Sequence, residues 1–190
     1  EGGLALGPVG YNVANKAANI YATYLETDKD RRLQLLSEAA RRAEDLQSIA
    51  GTLPNAWYLH AQALGRYGQG LSVAKALAEG LGGKVRASLE KTIAVEPKHA
   101  DAHIALGAYN AVGVKQLGAL VGSLTYGASK ETGMKHFETG LKLNPGSAIG
   151  RIEMANGLVM LFGKSRIGEA TGLYKEAAGS EPAELTSVPR

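Results

Sequence analysis

The stretch EGLGGKVRAS, residues 79–88, sets two glycines and a lysine ahead of a helix-like run, the raw material of a phosphate-binding loop. Such a loop needs a glycine five residues before the Gly-Lys pair and a Ser or Thr directly after it. The loop amides wrap the phosphates and the hydroxyl holds magnesium. Here those places hold Ala78 and Val85, and no strand-like run comes before them to aim the loop. A helix end with a glycine in a left-handed turn, then Lys84 opening the next helix, accounts for the residues better. GRYGQG, residues 65–70, has its glycines in the wrong order for a dinucleotide fingerprint and reads as a helix-terminating turn.

His99 and His103 are four residues apart, the spacing that puts two imidazoles on one helix face as metal ligands require. No third ligand lies nearby, and His99 falls in the turn after Pro97, so packing is the preferred reading and no metal is expected. His60 and His136 read as packing or surface residues, with His136 open to recruitment across the fold. Ser123 has neither glycine of a nucleophile elbow around it. With no cysteine in the chain, a thiol nucleophile, a disulfide and a thiolate zinc site are excluded. Neighbouring carboxylates such as Glu44 and Asp45 point to different sides of a helix and cannot share acid and base work. No catalytic constellation is found and no cofactor is expected, so the chain reads as a non-enzyme.

The elements that would position any site are helices. In 190 residues, 45% apolar and 21% charged, the chain can bury one ordinary core or a short stack of repeats. Its net charge of +3 is interleaved rather than clustered, which does not point to nucleic acid. The most apolar windows, 112–128 and 149–162, fall short of the roughly 20 apolar residues a spanning helix needs. The chain starts at Glu1 without Met. A removed leader is one explanation, and the expectation leans to a periplasmic or secreted protein, with the cytoplasm as the alternative.

Val13, Ala17, Ile20, Tyr21 and Tyr24 trace one stripe of a first helix. Thr27, with Asp30 three residues on, suits the start of a second helix whose buried face runs through Leu33, Leu36, Ala40, Ala43, Leu46 and Ala50. Tyr21, Tyr24, Phe137 and Tyr174 read as core. Prolines then recur between helical runs at Pro54, Pro97, Pro145 and Pro182, 43, 48 and 37 residues apart by subtraction. Proline sits well just at a helix start and badly inside one, so each marks a joint. The segments LEKTIAVEP, FETGLKLNP and YKEAAGSEP align as an internal repeat. Glycine, 25 of 190 residues or about 13% against a usual ~7%, predicts bent or interrupted helices near Gly113, Gly118 and Gly122.

On these residues the chain resembles the tetratricopeptide repeat (TPR) family, whose unit is a helical hairpin of about 34 residues ending near a proline. Ala170, Tyr174, Ala177 and Pro182 match its second helix, as do Gly133 and Phe137 in the preceding unit. Trp57, and His103 with Leu106 and Gly107, stand in its first-helix places, and Arg151, Met154 and Ala155 fill the last. The resemblance implies an all-α fold in one domain, a right-handed superhelix of stacked hairpins with an N-terminal helical cap charged on its outside. The cap is the helix pair 9–50. Residues 54–182 supply about three TPR-like pairs, with insertions near 70–83 and 113–129.

The resemblance further implies a concave groove lined by the first helix of each pair. Asn55, Tyr58, Gln62 and Arg66 face it, then Asp101, Ile104, Ala108 and Val112, then Ile152, Asn156 and Met160. A groove polar at one end and apolar at the other suits a protein or peptide partner. The first expectation is therefore a binding or assembly scaffold, with self-association or a place in a larger complex open to it. The alternative is a transport accessory similar to the periplasmic TPR companion of TRAP-type transporters, which binds or passes a small ligand.

Overall fold

The computed structural model describes residues 4–180; Pro182 lies outside them. Among these residues there is no strand and there are nine α-helices: α1 (Pro8–Tyr24), α2 (Lys29–Ala50), α3 (Pro54–Gln69), α4 (Val73–Ala78), α5 (Leu81–Val95), α6 (Ala100–Tyr126), α7 (Lys130–Leu143), α8 (Ala148–Phe162) and α9 (Ile167–Ala178). Short oxygen-bearing side chains start several of them. Ser72, Ser129 and Ser147 accept from the backbone N–H three residues on, at 3.3, 3.0 and 2.9 Å, capping α4, α7 and α8. Pro54 takes the first position of α3, where a missing amide hydrogen costs nothing. Pro97 and Pro145 lie in the short turns ahead of α6 and α8.

The helices pair as α1/α2, α3/α5, α6/α7 and α8/α9, and each pair packs on the next: α1 and α2 on α3, α5 on α6, and α6 and α7 on α8. A single hairpin cannot hide its apolar stripe, and stacking hides it between neighbours. The segment after Gly70 forms α4, which lies against α5. Phe137 of α7 is fully buried at the centre of the largest cluster. Its ring occupies the space that side chains at Gly107 and Gly157 would need. A Cβ on Gly107 would lie 2.6, 2.7 and 2.8 Å from three ring atoms, and one on Gly157 would strike the opposite ring edge.

Several expectations need correction. Asp28, not Thr27, caps α2: its Oδ1 accepts from the Arg31 N–H at 2.7 Å, and the carboxylate also faces the positive end of the helix dipole. Gly65 and Gly68 stay inside α3, which ends only at Gly70. The left-handed turn is at Gly80 (φ 63°, ψ 25°), and α5 opens at Leu81 rather than Lys84, leaving no strand under the Gly-Lys pair. Gly113 and Gly122 remain helical, and α6 breaks only at Gly118 (φ 76°, ψ 158°), a conformation that a side chain would resist.

The largest departure is α1. Its apolar stripe faces outward, with Val13 62% and Tyr24 66% exposed, while Asn15 and Asn19 are buried beneath it. Each asparagine finds partners there for one end of its amide, while Asn15 Nδ2 and Asn19 Oδ1 are buried without one. Asn19 Nδ2 donates to the Leu59 carbonyl at 3.2 Å and to Gln62 Oε1 at 3.1 Å, and Asn15 Oδ1 accepts from Arg42 at 3.3 Å. The exposed face of α1 is thus apolar and that of α2 charged, and Tyr21, Tyr24 and Tyr174 are exposed rather than core.

Candidate functional site

The first helices of successive pairs, α1, α3, α6 and α8, turn one flank each to a common concave groove of about 740 Å³, which α4 and α5 also line through Ala76, Leu77, Leu81 and Val85. Asn55, Tyr58, Gln62 and Arg66 of α3 line it, as do Asp101, Ile104, Ala108 and Val112 of α6. Ile104 belongs as much to the core, only 5% exposed and pressed against Gly140. Asn156 is not on the groove. Because α8 is the last first helix among the described residues, only its flank toward α6 borders the groove, through Ile149, Gly150 and Glu153. Asn156 turns to α9, where its Oδ1 accepts from the Tyr174 hydroxyl at 2.6 Å. Ile152 and Met160 are likewise off the groove, Met160 against the core cluster.

The groove is held by contacts between its walls. The Tyr58 ring tilts against His99 with centroids 4.8 Å apart. Burial, and next the Asp101 charge, push the Tyr58 phenol far above its ordinary range, so its hydroxyl remains a donor. His99 Nδ1 accepts from the Ala102 N–H at 3.1 Å, which leaves the proton on Nε2, 3.5 Å from Asn55 Oδ1. Gln62 is steadied by Asn19. Arg66 of α3 reaches Glu153 of α8 at 3.4 Å across 87 residues of sequence, both side chains partly exposed. Sequence reasoning missed Glu153, the α1 contributors Lys16, Ile20 and Tyr24, and the wall that α4 and α5 supply. Ile149 and Glu153 share a helix face at four-residue spacing, a signal that would have found the right flank of α8.

Two side-chain clusters lie off the groove. His60 Nδ1 is 2.7 Å from Ser88 Oγ, and His60 Nε2 is 3.2 Å from Glu44 Oε1, an arrangement with the composition of a Ser-His-acid triad. It cannot serve as one. Ser88 and His60 are 4% and 5% exposed, so no carbonyl reaches Ser88 Oγ, and Ser88 sits mid-helix, where its backbone N–H is spent on the helix and supplies no oxyanion donor. The relay instead ties α2, α3 and α5 together. Burial lowers the His60 pKa, and Glu44 partly opposes the shift.

In the second cluster, His103 of α6 and His136 of α7 face each other with Nδ1 atoms 3.1 Å apart. Burial, and next the neighbouring His103, hold His136 below its ordinary pKa. The pairing at four-residue spacing with His99 is not made, since His99 is engaged with Ala102 and Asn55. Among the described residues no three His, Asp or Glu side chains converge as a metal site, and no helix is long and apolar enough to cross a membrane.

Stacked helical hairpins around a concave groove define a TPR-like helical-repeat solenoid. The crystal structure of MamA, a TPR-like protein, matches the chain with a TM-score of 0.50 at 16% identity, over 92% of this chain and 80% of that one. At that identity the likeness shows the fold alone. No family model and no curated protein sequence matches the chain.

Proposed function

We propose that the chain is a non-enzymatic interaction scaffold built from irregular TPR pairs with insertions, and that it binds a segment of a partner protein in the concave groove. The single observation that supports this most is the groove itself, a continuous surface to which four successive first helices contribute, with α4 and the inner side of α5 closing it. Its α3 side offers Asn55, Gln62 and Arg66, with Asp101 opposite, while Ile104, Ala108 and Val112 continue it as an apolar floor. That division suits an extended or helical peptide that is polar at one end and apolar at the other. Tyr58 would carry much of the contact, being a large ring already ordered by His99.

The test is selection of peptides from a random library on the immobilised protein, followed by affinity measurement. Tyr58→Ala and Arg66→Glu should each weaken the selected peptides at least about tenfold, while Asn156→Ala leaves them unchanged. Peptides that bind equally to all variants would refute the groove as the site. A protein that selects no peptide yet takes up a small ligand in a Tyr58-dependent way would favour the transport-accessory use instead.

A further inference from the structure

We infer that His103 and His136 form a two-nitrogen site for a borderline-soft divalent cation such as Zn²⁺, separate from the groove. Three features of the pair carry this. First, the two Nδ1 atoms face each other at 3.1 Å. Two imidazole nitrogens bound to one zinc at 2.0–2.1 Å with tetrahedral geometry stand about 3.3 Å apart, so the rings need to open by a few tenths of an ångström and tilt by about 35° each to aim at a shared ion. Second, His103 is already oriented. Its Nε2 lies 3.2 Å from the Pro97 carbonyl oxygen, which only accepts, so the proton is on Nε2 and the Nδ1 lone pair points at His136. A carbonyl behind the far nitrogen is the usual outer support of a metal-binding imidazole. Third, the two rings come from helices packed against each other as one hairpin, near the close seat of Phe137 against Gly107, which keeps the spacing.

Without metal, the His136 Nδ1–H donates to His103 Nδ1. On binding, His136 moves that proton to its own Nε2, both Nδ1 lone pairs go to the cation, and no proton is lost. Both rings are half-buried rather than sealed, and His136 also borders a cavity of about 270 Å³ with Thr132 and with Arg86 and Glu90, whose charges are paired at 2.8 Å. The other coordination positions therefore belong to water. The donor set also sets selectivity, because paired neutral nitrogens suit zinc and its neighbours while magnesium prefers oxygen.

The experiment is calorimetric titration of tag-free protein with ZnCl₂, with MgCl₂ as the control. One zinc per chain is expected, no heat from magnesium, and at least about a tenfold loss of zinc affinity in both His103→Gln and His136→Gln. Since a substitution at the helix interface can disturb folding, the wild-type imidazole proton resonances are followed in parallel. Those of His103 and His136 should move together with zinc while those of His60 and His99 stay. A wild-type protein that binds no zinc at millimolar concentration, zinc binding that both variants retain, or resonances that move only at other histidines would each overturn the site and leave a plain N–H···N hydrogen bond.

Discussion

Replacing Gly107 by alanine should destabilise the protein, although alanine is the better helix former. In the interior of α6 the exchange gains about 0.8–1 kcal/mol of backbone propensity. The new methyl would stand 2.6–2.8 Å from three atoms of the Phe137 ring, and overpacking of that kind costs about 1–3 kcal/mol. The ring has nowhere to go, because its other edge fills the side-chain space of Gly157. The cost therefore falls in the upper half of the range, and the net loss should be about 1–2 kcal/mol. Gly172→Ala is the matched control: it lies inside α9 with nothing within 4 Å of the place its new methyl would take, and should gain up to about 1 kcal/mol. Urea unfolding followed by circular dichroism gives both values, and melting should move by about 2–4 °C per kcal/mol in a chain of this length. Shrinking the ring in Gly107→Ala/Phe137→Leu should return part of the loss, a coupling of about 0.5–3 kcal/mol for residues in contact. A Gly107→Ala protein as stable as Gly172→Ala, or a double variant with no coupling, would refute the packing argument.

Asp28→Ala should cost about 1 kcal/mol through the lost cap, whereas Thr27→Ala should stay within about 0.5 kcal/mol of wild type; equal losses in the two unfolding curves would return the cap to Thr27. The depressed His60 pKa makes stability pH-dependent. Unfolded His60 takes up its proton near pH 6.5 and folded His60 only at lower pH, so between those points the unfolded chain binds more protons and stability falls as the solution is acidified. His60→Gln should flatten that part of a pH series of urea midpoints, and a slope identical to wild type would exclude His60 as a source. Arg66→Ala should change stability by less than about 1 kcal/mol, since the ion pair with Glu153 is partly exposed; a larger loss at low salt would show the pair to be a structural necessity.

Most of the fold could be read from the chain because its signals were local. Pro54, Pro97 and Pro145 punctuate helices wherever they stand, and small residues such as Gly107 mark close approach. The groove positions on α3 and α6 followed from helical spacing once the repeat was in register. Spacing alone could not say that α8 is the last of the row among the described residues, and Asn156 was misplaced because the side it occupies meets α9 instead of a further hairpin. Nor could it say which face of α1 turns inward. The apolar stripe through Val13 and Tyr24 is the stronger periodic signal, yet the partners for Asn15 and Asn19 come from Arg42, Leu59 and Gln62, 27 to 43 residues away. The pairing of Arg66 with Glu153 and of His103 with His136 is likewise a product of stacking, invisible until distant turns of the coil are brought side by side.

The Arg66–Glu153 contact joins the two rims of an arch. A coil of hairpins keeps its curvature in small rotations between neighbours, so a tether between distant turns acts on the pitch of the whole span. At about 1 kcal/mol or less, and weakened as ions shorten the reach of charge to about 8 Å at physiological strength, that tether is a soft fastening between its distant turns.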